Sequence, residues 1–375
     1  MTMRSNDSSS PAFIRRVLQN WSPSYVLCAS VLVAATAISA AYAQDDIAQR
    51  PYVPQHVTVP ADRPYVVGPD TVFVAGNDVL IPLFTKLDAR WAQVEPNVKF
   101  KKIMMGSTLS VEGLVSEKSA FGPIGRGNRR PEVDQFVQRF GYEPTYLKIG
   151  YDSNPNNKLS TGIWVNASNP IKQITLAQAA AIFTTGGENG DITHWSQLGV
   201  EGDWGPVPIH PYVTRDTSAV LAMIDEMRDK FGGRPFTPQV EWMPTEESAI
   251  DAVAQDAYGM VLMDYWNNVA VMRGVMTWKR LPDLGPKIKF VPMVIDDKGT
   301  LSDGTVEGPL HPMASAIGIN INRVPGKPLD PWLRAYCEFL LSKDAQEIIG
   351  SPEMRKVGFR PLQPGEAAEE LKKIE

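Results

Sequence analysis

The chain has 375 residues, 37 of them basic and 42 acidic, for a formal net charge of −5. That balance leaves no electrostatic footprint for nucleic acid, and two cysteines are too few for a disulfide framework. With 43% hydrophobic residues, the chain is long enough for two lobes of ordinary domain size, each closed around its own core.

Residues 1–43 read as a cleavable signal peptide. Arg15 and Arg16 supply the positive start, residues 26–38 the apolar core, and Ala41-Tyr42-Ala43 a small-residue cleavage site. A membrane anchor is the rival reading, but the apolar core is about 15 residues, short of the roughly 20 that span a bilayer. Cys28 stands at the beginning of that core, whereas a lipid-bearing cysteine would follow it. The expected location is therefore the periplasm or the extracellular space. Losing Arg4, Arg15, Arg16 and Asp7 leaves 34 basic and 41 acidic residues, a charge of −7, with Cys337 as the one thiol.

Residues 44–69 hold five prolines and no helical periodicity, which predicts an extended tether. Residues 71–75 then form a buried-strand pattern that ends at Gly76-Asn77-Asp78. Leu80, Leu83, Phe84, Leu87, Trp91 and Val94 follow at helical spacing, with Pro82 in the first turn. A second strand over 98–105 ends in Gly106-Ser107-Thr108-Leu109-Ser110, and a third over 121–124 ends in Gly125-Arg126-Gly127-Asn128, before a helix over 131–140. Residues 163–166 predict a strand, and Thr175 an N-cap for a helix over 176–183. Residues 209–214 are an apolar strand running into Arg215-Asp216-Thr217-Ser218 and a helix start. Beyond it come a helix over 250–254, strands over 258–263 and 316–321, and helices over 332–341 and 345–349. Strands alternating with helices place the chain in the α/β class, with mostly parallel sheets flanked by helices.

Several segments resemble the periplasmic phosphate-binding proteins of ABC transporters, the type II solute-binding fold. They are Ile182-Phe183-Thr184 with Ile192-Thr193-His194-Trp195 and Leu198-Gly199; Val165-Asn166 with Asn169-Pro170-Ile171; Tyr258-Gly259-Met260-Val261; Pro309-Leu310-His311-Pro312-Met313; and Phe339-Leu340 with Ser342-Lys343-Asp344-Ala345-Gln346. Their order and spacing hold over residues 71–362. The resemblance implies two lobes, one formed by residues 70–150 and 285–375 and the other by 151–284. The ligand would lie in the cleft between them, and the partner would be a membrane permease.

Polar turns at the carboxyl ends of strands are where open α/β sheets bind ligands, and helix N-termini offer unpaired N–H groups to anions. On that basis Asn77, Asp78, Gly106, Ser107 and Thr108 are first-lobe site residues, with capping and plain turns as the ordinary alternatives. Arg215, Asp216, Thr217 and Ser218 are the second-lobe set. There the family pattern is Arg-x-Asp-Gly-Ser-Gly-Thr, and this chain sets Arg215 one residue closer to the aspartate and replaces the final threonine by Val220. The family also carries an aspartate after its Phe-Gly strand that accepts the proton of monobasic phosphate. Here Gly125 and Arg126 stand instead, and Arg126 adds positive charge to the site or belongs to a solvated basic patch with Arg129 and Arg130.

The expected function is capture of an inorganic oxyanion, phosphate first, by an exported, monomeric, non-enzymatic binding protein without metal or cofactor. The rivals are another oxyanion or small organic acid on the same fold, an envelope sensor that serves no transporter, and a hydrolase using Ser107 or Ser218 as nucleophile. No G-x-S-x-G elbow supports the last. Stacking of a sugar on Trp164, Trp195, Trp204, Trp242, Tyr265, Trp266 or Trp278 is weighed against burial of those rings in cores.

Overall fold

The computed structural model describes residues 46–152, 162–214, 230–263, 287–304 and 308–375. The leader of residues 1–43 lies outside this set. Among the described residues no helix is long and apolar enough to cross a membrane.

The described elements form two α/β lobes with separate apolar cores. In the first, strands β1 (Val66–Gly68), β2 (Thr71–Gly76) and β3 (Lys99–Met104) make one sheet, β2 and β3 running parallel. Strand β4 (Gly122–Ile124) lies against β2, with Ala120 N–H donating to Phe73 O at 2.9 Å, and opens a second sheet. That sheet also holds β5 (Thr145–Asp152), β14 (Ser315–Ile321) and β15 (Phe359–Arg360). Helix α1 (Ile81–Val94) buries Leu83, Phe84, Leu87 and Trp91, the stripe its apolar spacing predicts. Trp91 meets Tyr336 edge-on at 5.0 Å, and Tyr336 belongs to α6 (Pro331–Leu341), nearly all of whose apolar residues are buried.

The second lobe is built on a five-stranded sheet in the order β11 (Ile288–Val291), β6 (Gly162–Asn166), β10 (Gly259–Met263), β8 (His210–Thr214), β9 (Glu241–Met243). It is flanked by α4 (Leu176–Phe183), whose Thr175 and Gln178 form a capping box, and by α5 (Glu246–Gln255). A small sheet of β7 (Ile174–Thr175), β12 (Met293–Val294) and β13 (Leu301–Ser302) completes it.

Two expectations change here. The sheets are mixed rather than mostly parallel: β5 with β14 and β6 with β11 run antiparallel, because each pair joins a strand that enters a lobe to one that leaves it. The second lobe also extends past residue 284, since β11 to β13 pair with its strands and the first lobe resumes only at β14. Residues 46–69 are extended, as their prolines imply, but they lie packed on the first lobe. Tyr52 and Val57 are buried, and the fully buried Glu95 accepts hydrogen bonds from the Tyr52 hydroxyl (2.9 Å) and from the backbone N–H groups of Gln55, His56 and Val57.

Candidate functional site

The turns after β2, β3 and β4 converge. Gly76 O accepts from Met105 N–H (2.9 Å) and Gly106 N–H (3.2 Å), and Asn77 N–H donates to Pro123 O (3.0 Å). A Cβ on Gly76 would stand 2.5 Å from Pro123 O, so only glycine permits this approach. Gly106 has φ +150°, which likewise favours glycine.

Asn77 caps the turn at Asp78–Leu80 through its carbonyl oxygen, which accepts from Val79 N–H at 2.7 Å, and its amide donates to Ser107 Oγ. Thr108 opens helix α2 (Thr108–Val115), and its Oγ1 accepts from the Arg129 guanidinium at 3.0 Å. Each hydroxyl thus takes a hydrogen bond from the protein while its own proton has no acceptor among the described residues. The backbone N–H groups of Asp78, Ser107 and Thr108 are likewise without an acceptor there, as the first amides of helical turns are. Asp78 itself is exposed. These O–H and N–H groups, gathered at strand ends, are a donor set suited to an oxyanion.

Arg126 does not project as a lone cation. Its guanidinium makes a bidentate contact with Glu132 (2.6 and 2.9 Å) and donates to Gly127 O (2.8 Å). Arg129 shares the same carboxylate, at 2.8 and 3.0 Å, and its backbone N–H donates to Glu132 at 2.9 Å. Burial alone would raise the Glu132 pKa, yet the Arg126 and Arg129 donors outweigh it and hold the carboxyl below its usual range. Arg130 turns away to Asp134 on the solvent face. The sequence singled out Arg126 and passed over Glu132, although an acidic residue three positions after Arg129, at the start of a proline-led helix, is a capping signal.

Ser110 belongs to the structure of the lobe rather than to the donor set. Its Oγ donates to Gly122 O (2.6 Å) and accepts from the buried Asn320, which exchanges two hydrogen bonds with Asn128. In the second lobe, β8 ends at Thr214, whose buried Oγ1 has no partner among the described residues. Arg215, Asp216, Thr217 and Ser218, which follow it, lie outside the described residues.

The tryptophans that a sugar reading would use are mostly interior. Trp195 is fully buried and meets Trp204 at 6.1 Å, Trp164 packs on Phe290 at 5.2 Å, and Trp242 on Phe236 at 5.3 Å. Tyr265, Trp266 and Trp278 lie outside the described residues. No group of three or more metal-ligating side chains occurs among the described residues.

No protein-family model matches the chain. In sequence it is 26% identical over 297 residues to the phosphate-binding protein PstS of Pseudomonas aeruginosa, covering 78% of this chain and 83% of that protein. Solved structures that align with it include PstS from Borrelia burgdorferi, with 16% identity, 78% of this chain, 99% of that one and a TM-score of 0.42. Another is an ABC-type phosphate transport receptor from Vibrio cholerae, with 14% identity, 77% and 99% coverage and a TM-score of 0.40. Along most of its length, then, the chain is similar in sequence to phosphate-binding proteins of ABC transporters, the family that its motifs resemble.

Proposed function

We propose that the protein is exported, binds an inorganic oxyanion, phosphate first, between its two lobes, and delivers it as a monomer to a permease in the membrane. The observation that carries this reading is the convergence of Asn77, Ser107 and Thr108, where both hydroxyls are satisfied as acceptors and keep their protons for a ligand. Arg215, Asp216, Thr217 and Ser218 are proposed to close on the anion from the second lobe, with Thr214 marking the strand end that presents them. The sequence likeness to a phosphate-binding protein supports phosphate as the first ligand to test.

Binding without turnover fits the same geometry. Ser107 Oγ accepts from an amide and, among the described residues, touches no histidine or carboxylate that would take its proton, which a serine nucleophile requires.

One observation favours a second ligand class. Phosphate near neutral pH carries an O–H that needs an acceptor, and the buried carboxylate of the half-site, Glu132, is already filled by two arginines. Among the described residues of the converging turns Asp78 is the carboxylate left, and it is exposed, so a fully ionised oxyanion such as sulfate is the alternative ligand. A thermal-shift panel of phosphate, sulfate, molybdate and small carboxylates at equal concentration L separates the readings, because a ligand stabilises the folded state by RT ln(1 + L/Kd), so the tightest binder gives the largest rise in melting temperature. Phosphate giving the largest rise supports the first reading. A larger rise with sulfate or molybdate supports the second, and no rise with any anion contradicts both.

A further inference from the structure

The chain has four histidines, and the fold brings two of them to one face of the second lobe. Residues 193–195 run antiparallel to 207–209: Ile209 N–H donates to Thr193 O (2.8 Å), Trp195 N–H donates to Val207 O (3.2 Å), and His194 stands opposite Pro208. His210, the first residue of β8, is two positions past Pro208 and so shares its face. Diagonal neighbours of this kind lie about 7–8 Å apart at Cα, comparable with the i, i+4 histidine pair through which a helix grips one ion. Both rings line an open cavity of about 580 Å³, whose wall also holds Tyr212, Gln239 and Glu241. This cavity belongs to the second lobe, whereas the Asn77–Ser107 pair and the Glu132 cluster of α3 (Arg130–Phe140) belong to the first.

The ring nitrogens are sorted for coordination. His210 Nδ1 lies 2.7 Å from Asp256 Oδ2, which also accepts from the Tyr212 hydroxyl at 2.9 Å, and the other Asp256 oxygen accepts from Tyr258 N–H at 2.9 Å. The carboxylate takes the Nδ1 proton and leaves the lone pair on Nε2. His194 Nδ1 lies 2.8 Å from Thr193 Oγ1, whose own proton is directed at Gln197 Oε1 (3.4 Å). That hydroxyl oxygen is left to accept the Nδ1 proton, so here too Nε2 keeps the lone pair. Neither Nε2 has a hydrogen-bond partner among the described residues. Among those residues no lysine or arginine lines the cavity, and Glu241 adds a negative charge to its wall, a balance that suits a cation.

We infer that His194 and His210 bind one divalent transition-metal ion of the zinc, nickel or copper group through their two Nε2 atoms. Imidazole suits these ions, whereas magnesium and calcium take oxygen ligands. Two histidines are fewer than the three or more side chains of a dedicated centre, so water fills the remaining positions. Behind the rings, Asp256 and Thr193 hold tautomer and direction, as the oxygen partner of a metal-bound histidine does.

The test is isothermal titration of the untagged protein, in a buffer free of phosphate, with zinc chloride and separately with nickel chloride. The wild type is run beside His194→Gln, His210→Gln and, as a control at an exposed histidine elsewhere, His56→Gln. The expected result is one ion bound per chain in the wild type and in His56→Gln, for one or both metals, with affinity about tenfold or more weaker in each of the other two variants. If a variant proves unfolded by circular dichroism, paramagnetic copper(II) added to the wild type decides, by broadening two of the four imidazole signals in the NMR spectrum and sparing those of His56 and His311. No binding of either ion by the wild type, unchanged affinity in His194→Gln or His210→Gln, an equal loss in His56→Gln, or no selective broadening where that arm decides, overturns the inference. None of these results bears on the oxyanion reading, whose ligand is absent from the titration.

Discussion

His311 shows how one side chain ties the stability of the protein to pH. It is 1% exposed, its Nδ1 accepts from Met313 N–H at 3.2 Å, and its ring lies 5.4 Å from Phe290. Burial, assisted by the Lys230 ammonium and opposed by Asp303, lowers its pKa to about 4 from the ordinary imidazole value of 6.5. Because the folded state resists protonation, the unfolded chain binds more protons between those values. Stability is full above pH 6.5 and falls as the pH drops towards 4, by on the order of 3 kcal/mol if the whole shift is realised. Denaturant titrations at pH 7.5, 6 and 5 should show this decline, and a His311→Asn variant should show a shallower one. A wild-type slope no steeper than the variant's would contradict the assignment. Neither the burial nor the nearby Lys230 charge was visible in sequence, where His311 stands only as part of the Pro309–Met313 motif. The same holds for Glu132: its neighbours in sequence predict a helix cap, but only the fold brings Arg126 round to it.

The elements near the site were legible because each carries a local signal. The apolar stripe of α1, the Thr175 N-cap and the glycine turns at Gly76 and Gly106 all act over a few residues, and each stands where the sequence places it. Strand direction was not legible, since it depends on which distant strands meet. The antiparallel pairing of β5 with β14 joins residues more than 160 apart in sequence. The packed segment 46–69 was missed for a related reason: its prolines signal extension, while its anchor, Glu95, lies in another part of the chain. That anchor makes a prediction at this scale. Glu95→Ala would leave three backbone N–H groups and the Tyr52 hydroxyl without their acceptor, at a cost of about 3 kcal/mol or more. Tyr52→Phe, which removes one hydrogen bond, should cost about 1 kcal/mol. Urea midpoints of the two variants check the ranking. Wild-type stability in Glu95→Ala would mean that the segment is not held by this residue.

At the scale of the whole molecule, β5 of the first lobe precedes β6 of the second in the chain, and the chain returns to the first lobe between β13 and β14. The second passage is tied down by side chains from both lobes. Lys230 donates to Pro312 O (3.1 Å) and Ala314 O (2.6 Å), Arg360 to Gly308 O (2.7 Å), and Ser302 Oγ to Pro309 O (2.8 Å). Such an arrangement suits a hinge in which the connecting strands bend while each lobe keeps its own core. If an anion is held between the lobes, a concentration a hundred times its dissociation constant should stabilise the protein by about 2.7 kcal/mol. The thermal rise should vanish in a variant that cannot bind. The most direct check on oxyanion capture is isothermal titration of the purified protein with inorganic phosphate, run beside the Ser107→Ala variant. We predict saturable one-to-one binding by the wild type and an affinity at least about tenfold weaker in the variant, the size expected for one lost charge-assisted hydrogen bond. Equal affinities in the two proteins, or no heat of binding in either, would contradict the account.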